Sequence, residues 1–157
     1  MKKILSYCKP STVSLLLVAG YWLLFTAFSP GIPGGELQLT ISNIYPVEGE
    51  LYIAVYDNEQ DFMDIEKTAF RKIVPVDSES LVVVFDNVPS GEYAIAVFQD
   101  LNGNGELDEK KIGIPAEPFG FSNDARGKLG PPKYKKARFD LDGKLSISLR
   151  MVNNAEN

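Results

Sequence analysis

Residues 100–108 read Asp-Leu-Asn-Gly-Asn-Gly-Glu-Leu-Asp, which sets oxygen-bearing side chains at Asp100, Asn102 and Asn104, a glycine at 105 and carboxylates at Glu106 and Asp108. A hard cation suits this pattern, because Ca²⁺ takes about six to eight oxygens drawn from carboxylates, amide carbonyls and the backbone. Oxygens at loop positions one, three and five, with glycine at six, wrap inward around one point. The carbonyl of Glu106 and the side chain of Asp108 would complete the near side. The twelfth position, where a bidentate Glu belongs, holds Lys111. Glu109, Asp57 or Glu117 would have to stand in for it. A Ca²⁺ ion held this way binds weakly, with a Kd of about 10⁻⁴–10⁻³ M, and fastens a loop rather than signals. A second reading needs no metal: Asn and Gly adopt left-handed conformations, and Asp and Asn side chains bond their own backbone in turns.

The segment continues as Gly113-Ile114-Pro115-Ala116-Glu117-Pro118-Phe119-Gly120-Phe121-Ser122-Asn123. Glu117, Phe119, Phe121 and Asn123 are its candidate ligand-binding residues. The two phenylalanines lie on the same side of an extended chain, either as an exposed platform for a sugar or peptide or with one ring in the core and one over a loop. Asp100, Asp108 and Glu117 are also the carboxylates that a carbohydrate-active or other hydrolase would use as an acid–base pair. The chain has no histidine, and Cys8 is its one cysteine, so catalytic triads built on imidazole and thiolate zinc sites are excluded.

These residues must be held by β-structure. Residues 36–42 alternate apolar and polar side chains, as a half-buried strand does. Residues 51–56, 81–85 and 92–98 are short apolar runs separated by turn residues. Residues 136–141 and 145–152 flank Asp142-Gly143, a two-residue hairpin signal. Residues 58–72 are ambiguous between a helical face of Phe62, Ile65 and Ala69 and a loop with a helical turn, and the loop is preferred. The spacing predicts an all-β, antiparallel β-sandwich of about seven strands with no internal repeat.

The N-terminus adds an address. Lys2, Lys3 and Lys9 precede an uncharged stretch over 12–28, and Pro30, Pro33 and three glycines follow it. A positive segment, an apolar helix and a helix-breaking close predict export. Either a signal peptide is cut near residues 27–29 or an uncleaved helix over 12–28 anchors the protein. Both readings place residues 36–152 as one domain in the periplasm or outside the cell, with 1–35 as the leader and 153–157 as a polar tail. Cys8 precedes the apolar stretch, which argues against lipidation. None of the 21 acidic residues precedes Glu36, so residues 36–157 carry those 21 against 13 basic side chains. Such a domain repels phosphate backbones, so nucleic acid is excluded as a partner. An envelope protein or a carbohydrate is expected instead, with membrane contact only through the N-terminal segment. Lys133, Lys135, Lys136 and Arg138 form a basic run that suits either a solvated strand edge or contact with anionic lipid or polysaccharide.

The run Gly91-Glu92-Tyr93-Ala94-Ile95-Ala96-Val97-Phe98-Gln99-Asp100, continued through Asp108 and the Gly113–Asn123 stretch, resembles the DUF2141 family of uncharacterised exported bacterial proteins. Its members share Pro-x-Gly-x-Tyr-Ala-x-Ala-Val-Phe-His-Asp-x-Asn-x-Asn-Gly-x-x-Asp, followed by Gly-x-Pro-x-Glu-x-x-Gly-Phe-Ser-Asn. Pro89, Gly91, Tyr93, Asp100, Asn102, Asn104, Gly105, Asp108, Gly113, Pro115, Glu117, Gly120, Phe121, Ser122 and Asn123 stand at matching positions. Gln99 stands where the family often has His. The resemblance extends over roughly residues 36–152; it implies an immunoglobulin-like or transthyretin-like sandwich and assigns no particular biochemical activity.

Overall fold

The computed structural model describes residues 34–110, 114–128 and 130–153. The leader and anchor readings over 1–33, Lys111 and most of the polar tail lie outside them. Strand β1 (Gly35–Ser42) turns Leu37, Leu39 and Ile41 inward and its polar alternates outward. It is followed by β2 (Glu50–Tyr56), β3 (Phe70–Pro75), β4 (Ser80–Val88) and β5 (Gly91–Asp100). Four short strands come next: β6 (Glu109–Lys110), β7 (Ile114–Pro115), β8 (Phe119–Phe121) and β9 (Phe139–Leu141), and the long β10 (Lys144–Arg150) ends the series. The helical content of the described residues is two 3-10 turns, Ile65–Lys67 and Ser122–Asp124, and α1 (Tyr134–Ala137). No helix among them is long and apolar enough to cross a membrane.

The strands form a three-stranded sheet in the order β10-β1-β4 and a larger one in the order β3-β2-β5-β8, with β9 also paired to β5. One core draws from both: Leu39, Phe85 and Leu149 of the first meet Ile53, Tyr93, Ile95 and Val97 of the second. The larger sheet carries apolar residues on its other face as well. There Tyr56, Ala94, Phe121, Tyr134 and Ala137 make a second, smaller cluster, against which Phe62 packs.

Four expectations need correction. The sheets are not wholly antiparallel, because β1 and β10 pair in parallel from Glu36↔Lys144 to Ser42↔Arg150. Asp142-Gly143 accordingly does not close a hairpin: β9 belongs to β5, β10 belongs to β1, and the dipeptide carries the chain from one sheet to the other. Gly143 takes φ 70°, and its carbonyl accepts the Glu36 N–H at 3.0 Å. A Cβ on Gly35 would stand 1.9 Å from that carbonyl, so the crossing demands glycine there. Residues 136–141 are half of α1 followed by a three-residue strand, because the buried side chains of Tyr134 and Ala137 are brought together by a helical turn. Residues 58–72 are largely loop as expected, yet their last three residues begin β3, which with the short β6, β7 and β8 brings the strands among the described residues to ten instead of about seven. β3 is an edge strand with a mostly exposed pattern, so burial left no period-two mark on its sequence.

Candidate functional site

Asp100 is the last residue of β5 and is 2% exposed. Its Oδ1 accepts the Gly103 N–H and its Oδ2 accepts the Gly105 N–H, both at 2.7 Å. The two glycines adopt φ 75° and 77°, left-handed values that aim those amides back at the carboxylate at little steric cost. Burial is the largest influence on the Asp100 carboxyl and pushes its pKa up. The amides of Gly105, Gly103, Asn104 and Asn102 together outweigh it, and the group sits below the usual carboxylate value.

The remaining oxygens continue the pattern. Asn102 Oδ1 accepts the Asn104 N–H at 3.0 Å, and Asn104 Oδ1 accepts the Glu106 N–H at 2.8 Å. The amide nitrogens of both asparagines donate to Asp108, one to each carboxylate oxygen. Glu117, 4% exposed, reaches in from the bend between β7 and β8. Its Oε1 accepts the Leu101 N–H at 2.8 Å and its Oε2 the Asp108 N–H at 3.1 Å, so one carboxylate staples both ends of the loop. Behind it, Gln99 Nε2 donates to the carbonyls of Pro46 and Glu48 at 2.7 and 2.8 Å.

The structure therefore brings Asp100, Asn102, Asn104, Asp108 and Glu117 into one network. Glu106 joins by its N–H. Among the described residues no group of three or more Asp, Glu, His or Cys side chains is arranged to hold a metal ion. The fit to Ca²⁺ is partial. Each carboxylate oxygen keeps a lone pair beyond the hydrogen bond it accepts, whereas a cation drawing on Asp108 would have to displace the two asparagine donors. Asn123 lies apart: its amide donates to the Lys136, Ala137 and Arg138 carbonyls at 3.4, 3.2 and 2.8 Å, closing the end of α1.

Phe119 and Phe121 belong to a different feature. Their rings meet edge-on at 5.9 Å on the outer face of the larger sheet. The register there sets side chains in rows across the strands: Tyr52, Phe98 and Phe119 in one, and Ala54, Ala96 and Phe121 in the next. Tyr52 and Phe98 stack at 4.9 Å. Beside that aromatic ridge the two alanines leave a trough, and Tyr56 closes its far side. The resulting cavity of about 350 Å³ is walled at its lip by Met63 and by Gly105, Glu106 and Leu107 of the stapled loop. A second cavity of about 400 Å³ shares Met63, Leu107, Phe119 and Phe121 with the first and runs on to Arg126, Lys128, Pro131 and Pro132. Burial, reinforced by Asp64, pushes the Tyr56 phenol up to about 12, so this wall stays uncharged at neutral pH. Glu106 lines the first cavity and Glu109 the second, whereas Asp100 and Glu117 spend their oxygens on backbone amides.

Reading the motif alone misses Tyr52, Ala54, Tyr56, Ala96 and Phe98. Their signal is that β2 and β5 are apolar at nearly every position, where a one-sided strand would alternate. A search of the curated proteins and a search of the solved structures found no match to this chain. A family model described as "Uncharacterized protein conserved in bacteria (DUF2141)" matches residues 39–148, more than half of the chain. On that match, the chain belongs to the DUF2141 family.

Proposed function

We propose that this protein is an exported, non-catalytic β-sandwich module that binds an envelope ligand in the trough on the outer face of its larger sheet. The observation that carries the reading is the trough itself. It has a floor of Ala54 and Ala96, aromatic walls, and a volume within the ordinary range of ligand pockets. The 101–108 loop, fixed by Asp100 and Glu117, serves as one wall. An immunoglobulin-like arrangement is supported by Tyr93: at the start of β5, its hydroxyl donates to the Pro89 carbonyl, four residues back, at 3.0 Å. The test is amide and methyl chemical-shift mapping of the purified protein against a set of small aromatic and aliphatic fragments. Shifts confined to Tyr52, Ala54, Ala96, Phe98 and Phe121 support the module. Fragments that bind elsewhere, or not at all, overturn it. Mass spectrometry of the protein recovered from its producing cells tests export, since a chain kept in the cytoplasm removes that part.

A Ca²⁺-fastened loop is the second reading. It is favoured by the side-chain oxygens of Asp100, Asn102 and Asn104, each of which accepts a backbone N–H of the same loop and retains acceptor capacity. Terbium luminescence should then titrate at about 10⁻⁴–10⁻³ M and weaken in Asn102→Ala. Identical titrations of the two proteins remove the cation.

A further inference from the structure

We infer that the trough takes the hydrocarbon chain of a fatty-acid anion, with its carboxylate held at Arg126 and Lys128; this rests on the trough being a binding site at all. The shape comes from the register. Two alanines face each other on neighbouring strands, Ala54↔Ala96, with Tyr52↔Phe98 one row away and Tyr56 on the other side. Rows on one face of a strand are about 6.6–6.8 Å apart, so the flanking aromatic rows are roughly 13 Å apart centre to centre. Subtracting the bulk of the rings leaves the width of a single alkyl chain. The polar groups of the lining are few: the Tyr52 and Tyr56 hydroxyls and the Glu106 carboxylate. A saccharide would strip water from many hydroxyls there and find little in return, whereas a methylene chain loses nothing polar.

Charge complementarity fixes the other end. The second cavity borders the trough, sharing Met63, Leu107, Phe119 and Phe121 with it, and its wall includes Arg126 and Lys128. Residues 126–138 hold six cationic side chains and no carboxylate, although the exported part as a whole is acidic. Ion pairs among the described residues engage Lys67, Arg138 and Lys144, not Arg126 or Lys128. An apolar slot bordered by a cavity that carries two cations outside those ion pairs matches one alkyl tail with one anionic head. Glu109 on the same wall opposes a second negative charge, which favours a carboxylate over a dianionic head.

The test is calorimetric titration of the purified full chain with monomeric decanoate and with decanol. Decanoate is expected to bind, and Arg126→Ala with Lys128→Ala is expected to weaken it by about three- to tenfold, the scale of exposed charge pairs, while leaving decanol unchanged. Ala96→Trp, and separately Ala54→Leu as the milder change, are expected to abolish binding of both, with an unchanged melting temperature showing that the fold survives. Equal binding of decanoate and decanol that ignores the double variant overturns the head-group assignment while the trough stands as a site. Binding that persists in both trough variants places the hydrocarbon elsewhere and overturns the inference. Failure of both probes overturns it too, and the fragment shift map then decides separately whether the trough binds anything.

Discussion

The loop at the end of β5 and the trough beside it share a wall yet solve opposite problems. The loop is a crowd of polar groups closed on itself: both oxygens of Asp100, both of Glu117 and the side chains of two asparagines all find partners within it. The trough is an apolar hollow, with alanines where larger side chains would have filled it. A buried polar group without a partner is costly, so the loop must be self-contained to exist. An apolar hollow costs less and is available to a ligand. The motif that dominates the sequence is thus a scaffold, and the surface it supports is the one with room for another molecule.

That division is open to direct attack. Asp100→Ala should have the largest effect: it leaves the Gly103 and Gly105 amides without their acceptor and should cost about 3 kcal/mol in a urea melt. Glu117→Ala frees both ends of the loop and should cost about 2 kcal/mol by the same measurement. A loss below about 0.5 kcal/mol in either would mean that the network holds nothing.

Acid sharpens the same point. Because the folded Asp100 carboxyl lies below its ordinary value, the unfolded chain binds the proton more readily. Its stabilisation is complete above the unfolded pKa of about 3.9 and is lost as pH falls through the lower folded value. The stability gap between the parent protein and Asp100→Ala should therefore be constant near neutrality and shrink below about pH 4. A gap that widens in acid would reverse the assigned direction.

Trough variants should behave differently. Met63 lines both cavities with φ 77°, a strained value for a long side chain. Met63→Asn should raise stability by about 0.5 kcal/mol, since Asn tolerates the left-handed region. Ala96→Trp should change it least, within about 0.5 kcal/mol, because the added ring enters open space. If trough substitutions unfold the protein as readily as loop substitutions, the contrast between scaffold and site collapses.

Much of this was readable beforehand, for local reasons. β1 announces itself because Leu37, Leu39 and Ile41 alternate with polar residues. The 100–108 loop does so because its bonds span only two to six residues. Glu117 is visible in the sequence as a candidate carboxylate, but its role depends on β8 returning beside β5. β3 escaped because an exposed edge imposes no pattern. Asp142-Gly143 signals a hairpin that does not form, because a tight turn fixes a change of direction and not the partner of the next strand.

By itself the sequence determined the strands whose side chains alternate, the glycine-hinged turns and the polar closure of the Asp100 loop, since neighbours along the chain make those interactions. Only the tertiary structure decided that β10 runs parallel to β1, that Glu117 ties Leu101 to Asp108, and that Ala54 and Ala96 meet in one row to hollow the sheet. Each of these depends on which distant strands share a sheet and in what register, and the burial of apolar surface by the whole domain makes that choice.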